Sequence, residues 1–278
     1  MSATLAAASP TSSSPAAGDL VRPLSLDPKE VGFYKREGYL YLPGLLTREA
    51  AAEARREVLD ILRVTHALMG GQARGKDGAA LKLVQTGQYL RGSALDRLVN
   101  AEALRSIASQ LLGGASTLYM PFTAVKSGGG GGRFSFHQDN QYTRFTDGLL
   151  GINIWFALVE MTPANGCLQM CPRSHLRGTL EAESESDGHR RTKVTPDDFL
   201  PMRMQPGDAV AFTRLTVHGS GENHTPDPRV AYAVQFHRDD TEAVWDNQPP
   251  RRLKGANRWS VGPVDRITPP DPKSGDGH

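Results

Sequence analysis

Two spacings of apolar residues divide the chain. Up to about residue 115 the apolar positions recur at helical intervals; from Ser116 onward they fall in short runs set off by turns. Asp27-Pro28-Lys29-Glu30 reads as an N-cap, a proline at the first helical position and an acidic first turn. The short helix it opens carries Val31, Phe33 and Tyr34 and stops at Gly38, and Tyr39–Leu42 follows as a strand ended by Pro43-Gly44. Thr47 caps the clearest helix, which runs to about Leu68 with Ala50, Ala54, Val58, Ile61 and Leu62 on one side. Gly70 to Gly78 reads as a loop. A third helix is expected over Ser93–Leu112, capped by Gly113-Gly114.

The strand-like runs are 116–126, 133–138, 150–159, 167–170, 202–204, 208–213 and 229–237, separated by Gly/Pro turns such as 128–132 and 226–228. Many short strands with such turns indicate a sandwich or jelly-roll barrel. The charged stretch 177–198 interrupts them as a candidate lid or insertion. Residues 1–22, rich in Ala, Ser, Thr and Pro, are expected to be a disordered tail, with a targeting peptide the less favoured reading. A single domain then spans 23–262, helical over 27–115 and a jelly roll over 116–240, before a loose tail at 263–278.

The 278 residues suit one large domain. With 32 basic and 30 acidic residues the net charge is +2, which gives no general reason to expect a nucleic acid or an anionic membrane as partner. No apolar run approaches the ~18 residues of a membrane span. Cys167 and Cys171 stand alone, without a second pair for a zinc site or a disulfide framework, which suits a cytoplasmic setting. Oligomeric state is not legible.

The chemistry concentrates in Phe134-Ser-Phe-His137-Gln-Asp139. On a strand, His137 and Asp139 face the same side and can converge on one cation. H-x-D recurs by chance, and a metal site needs a third ligand, for which His218 in His218-Gly-Ser-Gly is the candidate. Arg229 follows His218 by 11 residues, opening the last β run. An inward guanidinium there would hold a carboxylate through paired hydrogen bonds, with Ser220 as a second donor. Trp155 is a candidate pocket wall. His175 and His237 read as structural.

Taken together these residues resemble the phytanoyl-CoA dioxygenase family of Fe(II)/2-oxoglutarate oxygenases, over roughly residues 27–240. The motifs that carry it are Gly38-Tyr-Leu-Tyr-Leu-Pro43-Gly, Lys126 with the Gly-rich loop and His137-Gln-Asp139, Trp155-Phe-Ala-Leu with Asn165-Gly-Cys-Leu168, Pro172-Arg-Ser-His175, and His218-Gly-Ser-Gly-x-Asn223 with Arg229. Arg173 stands where relatives usually have Gly. The resemblance implies a mainly β fold, a double-stranded β-helix of cupin-like jelly-roll type with an N-terminal helical layer. It implies Fe(II) on His137, Asp139 and His218, 2-oxoglutarate on Arg229 and Ser220 beside Trp155, O2 as oxidant, ascorbate as a candidate stimulant, and a small-molecule substrate. The expected reaction is hydroxylation with release of succinate and CO2; Asp139 fills the position that related halogenases leave to chloride with Gly or Ala. Phe122 stands where relatives often carry a co-substrate contact, and a lysine that some relatives use in the helical half corresponds either to Lys82 or to no residue here; neither is assigned a role. Asn140, Gln141, Tyr142, Arg144, Arg238 and Trp245 are candidates for the pocket mouth. A non-catalytic jelly-roll sensor and a cupin-type enzyme without 2-oxoglutarate remain open alternatives.

Overall fold

Packing starts earlier in the chain than expected. The structure, a computed structural model, describes residues 20–68, 85–185, 190–193, 199–245, 248–254 and 262–268. Val21 bridges to Leu46, and Val21, Leu24 and Leu26 are buried in the main core, so the tail boundary expected at residue 22 moves to about 20. At the other end Val264 bridges to Leu90, Ile267 is buried, and Thr268 N donates to Gln88 Oε1 at 2.9 Å. The loose tail expected from 263 is therefore packed through 268, because the 87–91 segment supplies backbone and amide partners that a sequence pattern does not display. Residues 1–19, the loop 70–78 and Lys82 lie outside the described residues.

Helix α1 (Pro28–Glu37) has the expected caps. Asp27 and Glu30 form a reciprocal capping box, and Gly38 ends the helix at φ 85°. Strand β1 (Tyr39–Leu42) leads to α2 (Arg48–Leu68), whose first turn is capped by Thr47 Oγ1, 3.1 Å from Ala50 N. The single helix expected over 93–112 is two, α3 (Ala94–Val99) and α4 (Glu102–Leu112). Asn100 breaks it: its Nδ2 turns back to Asp96 O at 3.0 Å and Asp96 Oδ1 at 2.7 Å, offering the chain a turn in place of a further helical bond.

The strands follow as β2 (Ser116–Lys126), β3 (Phe134–His137), β4 (Arg144–Phe145), β5 (Gly151–Ala157), β6 (Leu168–Met170), β7 (Ala182–Ser184), β8 (Arg190–Thr192), β9 (Leu200–Pro201), β10 (Ala209–Thr213), β11 (His218–Ser220), β12 (Arg229–Arg238), β13 (Glu242–Val244) and β14 (Arg251–Arg252). They pair as a five-stranded antiparallel sheet β1-β10-β5-β12-β2 and a four-stranded sheet β3-β11-β6-β9, the two layers of the jelly roll. A small sheet β14-β13-β4 and the hairpin β7-β8 complete it; the sequence pattern signalled neither, since these strands are two or three residues long. The hairpin occupies part of the charged stretch 177–198.

The larger sheet is buried on both faces, and β12 shows how. Its Val230, Tyr232, Val234 and Phe236 pack with Val58 and Ile61 of α2 and Leu104 and Ile107 of α4. Its Ala231 and Ala233 face the smaller sheet, among Trp155, Phe212, Leu168 and Met170. Each fully buried large side chain in such a layer contributes about 1.5–3 kcal/mol. The large residues thus fasten the helices, while the small alanines leave room between the sheets. The pocket lies between the two sheets. Among the described residues no helix is long and apolar enough to cross a membrane.

Candidate active site

One pocket between the two sheets is lined by His137, Asp139, His218, Ser220, Arg229 and Trp155, all six residues singled out in the sequence. His137 ends β3 and is the direct cross-strand partner of His218 on β11, so their rings lie 4.4 Å apart. Asp139 is not on the strand, contrary to expectation: it opens a 3-10 turn, Asp139–Gln141. The same-face geometry survives because Gln138 between them stays extended at φ −109°, ψ 136°. Gln138 is fully buried and pinned at three points: its Nε2 donates to Leu215 O (2.7 Å) and Gly178 O (2.9 Å), and its Oε1 accepts from Leu180 N (2.8 Å).

The donor set fits a divalent metal. One ligating atom from each of His137, Asp139 and His218 lies within 4.8 Å of the others. Asp139 Oδ1 is 3.7 Å from His137 Nε2 and 3.5 Å from His218 Nε2. Each imidazole spends Nδ1 on a backbone carbonyl, Ser135 O at 2.7 Å and Thr216 O at 2.9 Å. That fixes the proton on Nδ1 and leaves both Nε2 lone pairs facing the same point. Burial, then the neighbouring His218, holds His137 below the ordinary imidazole value, which favours the neutral, ligating form. Burial opposes ionisation of Asp139, but His218, His137 and Arg214 outweigh it, and the carboxyl sits well below its usual range.

The far end of the pocket fits an anion. Arg229 is 2% exposed, and among the described residues its Nη1 donates to the Ala124 carbonyl at 3.2 Å while its buried Nε has no partner. Burial pushes the guanidinium down to about 9, the mark of a charge with little to balance it. Trp155 lies 5.4 Å below it. Ser220 faces the same pocket from β11.

The opposite end is lined by Gln85, Tyr119, Met120, Tyr142 and Thr143. Of the residues expected at the mouth, only Tyr142 lines the pocket. Arg144 is exposed on β4, Asn140 ties the turn to Phe145, Gln141 holds Leu180 and Thr192, and Arg238 pairs with Asp240 at 2.5 Å. Trp245 packs beside Tyr119 and Phe145. Phe122 is a pocket wall, and Lys126 is fully buried with Nζ donating to Gly221 O. His175 and His237 are buried away from the pocket, His175 bonded to Lys35 O. Arg173 adopts φ 64°, the left-handed region that a glycine enters freely, and is held there by paired bonds from Nε and Nη2 to Glu37 at 2.9 and 3.0 Å.

Three polar pocket residues gather around Asp139, none of them singled out in the sequence. Asn153 Nδ2 and Gln235 Nε2 both donate to Asp139 Oδ2, at 3.1 and 3.0 Å. Arg214 donates to Gln235 Oε1 at 2.9 Å and to the carbonyls of Asp139 and Thr143 at 3.0 Å each. In the sequence the apolar residues around Asn153 and Gln235 hid both amides.

A jelly roll that turns two imidazoles and a carboxylate toward one point of an internal pocket has the architecture of a mononuclear non-haem iron oxygenase. The sequence model of the phytanoyl-CoA dioxygenase (PhyH) family matches residues 34–231, and the chain belongs to that family. It is 26% identical over 273 residues to ectoine dioxygenase of Halomonas elongata, covering 88% of this chain and 79% of that one. It is 26% identical over 257 residues to L-proline trans-4-hydroxylase of Streptomyces griseoviridis, covering 84% and 94%. Two further relatives match over 51% and 45% of their own length. The solved structure of EvdO2 from Micromonospora carbonacea, complexed with 2-oxoglutarate, superposes with a TM-score of 0.64 at 24% identity, over 83% of this chain and 97% of that one. The protein is an Fe(II)- and 2-oxoglutarate-dependent dioxygenase.

Proposed function

We propose that His137, Asp139 and His218 hold the iron, that Arg229 and Ser220 hold the distal carboxylate of 2-oxoglutarate against Trp155, and that the enzyme hydroxylates a C–H bond of a small organic metabolite. The observation that carries this is the pairing, in one pocket, of a converging three-atom donor set with a buried guanidinium whose Nε has no partner among the described residues. Bound iron supplies the chemistry by coupling O2-driven decarboxylation of 2-oxoglutarate, to succinate and CO2, to oxidation of the substrate.

The chain's own residues do the positioning. The carbonyls of Ser135 and Thr216 keep both imidazoles in the ligating tautomer. Arg229 gives the co-substrate a fixed end through charge-assisted bonds in a dry site. Asp139 keeps a carboxylate where halide transfer would need a vacancy, which favours return of a hydroxyl group. The substrate end, built from Gln85, Tyr119, Met120, Tyr142 and Thr143, presents amide, hydroxyl and apolar surface and suits a small polar molecule. The relatives named for ectoine and L-proline, both small metabolites, support that scale of substrate. A net charge of only +2 supports neither a nucleic acid nor a membrane as partner, and the burial of Cys167 and Cys171, with no disulfide among the described residues, suits the reducing cytoplasm.

The test is a panel of small metabolites incubated with the purified protein, Fe(II), O2 and 2-oxoglutarate, with and without ascorbate, and read by succinate release. A substrate is expected to raise succinate above the background, with a product heavier by one oxygen. His137→Ala is expected to lose iron binding and turnover together; iron affinity unchanged in that variant would sink the ligand assignment.

A further inference from the structure

We propose that Arg214, Gln235 and Asn153 are positioning residues that decide which oxygen of Asp139 faces the metal. The proposal deepens the reading of His137, Asp139 and His218 as ligands and rests on it. Gln235 and Asn153 are direct cross-strand neighbours on β12 and β5, and both side chains point inward. Their amide nitrogens converge on Asp139 Oδ2 from 3.0 and 3.1 Å. With two N–H donors on Oδ2, the carboxylate cannot rotate freely, and Oδ1 is the oxygen that meets both imidazole nitrogens. A carboxylate fixed in this way offers the metal one oxygen, and the space a second oxygen would take stays open.

An amide can present either its N–H2 or its oxygen, and the structure contains a device that chooses. Arg214 Nη1 donates to Gln235 Oε1, so that oxygen is committed and Nε2 must point at Asp139. Arg214 itself is locked. Its Nη2 spans the carbonyls of Asp139 and Thr143, tying the guanidinium to the turn that bears the ligand. Its charged plane lies 4.1 Å over the Phe145 ring and 5.2 Å from Tyr119. Gly151 makes the passage possible, since a Cβ there would stand 2.2 Å from Arg214 Cδ. The arrangement is also unlike one selected for stability. Asn153 Oδ1 is buried without a partner, and an apolar residue of the same size would leave no such orphan. A polar side chain held at that cost fits a residue kept for what its Nδ2 does to Asp139.

The experiment compares wild type, Gln235→Met, Asn153→Leu and Arg214→Lys as metal-free proteins. Each is titrated anaerobically with Fe(II), and with Co(II) for its visible ligand-field spectrum; circular dichroism and thermal unfolding of the metal-free forms report folding. Loss of the Oδ2 donors is expected to weaken metal binding 10- to 100-fold and to alter the Co(II) spectrum. Arg214→Lys is expected to weaken it too, with an effect that does not add to that of Gln235→Met, because both break one chain. If Gln235→Met fails to fold, Asn153→Leu carries the test, since it removes an unpaired oxygen along with the donor. Folded Asn153→Leu and Gln235→Met with wild-type affinity and spectrum would overturn the proposal. Full additivity of Arg214→Lys and Gln235→Met would remove Arg214 from it. Failure of wild type itself to bind metal, as His137→Ala is expected to fail, would instead overturn the ligand assignment beneath it.

Discussion

Replacing Arg229 by Met should stabilise the empty protein while disabling it. The guanidinium is 2% exposed, has one carbonyl partner and carries a buried Nε with none. Burial moves it well down from its ordinary value, to about 9. At about 1.36 kcal/mol per pH decade, that corresponds to roughly 5 kcal/mol spent keeping a charge dry. For a base whose folded value is depressed, the folded state binds fewer protons above that value, so the destabilisation is complete below pH 9 and relieved only as the pH rises past it. At neutral pH the whole cost is present. Met fills a similar volume but gives up the Ala124 bond, so a gain of about 1–4 kcal/mol is the reasonable expectation, or several degrees in Tm at about 2–4 °C per kcal/mol for a chain of this size. If Arg229 holds the co-substrate carboxylate as proposed, losing two charge-assisted bonds of roughly 1.5–3 kcal/mol each should weaken 2-oxoglutarate binding by a factor on the order of a hundred or more. Calorimetric unfolding of the metal-free protein and titration of the metal-loaded protein with 2-oxoglutarate measure the two effects separately. A lower Tm together with 2-oxoglutarate affinity within threefold of wild type would refute the reasoning.

Two further outcomes follow from the frame around the site. Gly38→Ala should cost about 2–4 kcal/mol in denaturant unfolding, because φ is 85° and the new Cβ would lie 2.4 Å from His175 Nδ1; a loss below about 1 kcal/mol would show that the α1–β1 turn relaxes freely. Hydrogen bonding from Arg173, against some burial and with help from Arg36, holds Glu37 below the usual carboxylate value. Its contribution to stability is present above the ordinary carboxylate range and is lost as the pH falls through the depressed value. Acid unfolding of Glu37→Gln should therefore be less steep than that of wild type below about pH 4.5, and superimposable profiles would mean that the pair carries no pH-dependent stability.

The sites most legible in the sequence were those where one residue type answers one chemical need. His137, Asp139 and His218 stood out as candidate ligands by type and spacing, and Arg229 as a candidate anion receptor. The less legible ones act through neighbours. Gln138 looked like a spacer, yet it is the anchor that keeps its two flanking ligands aimed alike. Arg214 lay in a turn whose sequence gave no sign that its guanidinium would be buried, and Asn153 and Gln235 were masked by the apolar runs around them. Arg173 departed from the family pattern, and only its ion pair with Glu37 explains how a left-handed backbone is held by an arginine.

By itself the sequence determined the helical layer and the strand-rich core, and it supplied the candidates for the metal ligands and the anion receptor. These follow from local rules: caps, hydrophobic periods and the chemistry of single side chains. Tertiary structure decided the rest. It packed residues 262–268 onto the 87–91 segment and took Asp139 off the strand into a turn. It also joined β12 to β5 so that Gln235 and Asn153 close on one carboxylate oxygen. Each of these depends on partners far apart in the chain, and no local pattern encodes which strand will lie beside which, or which oxygen of a carboxylate will be left free.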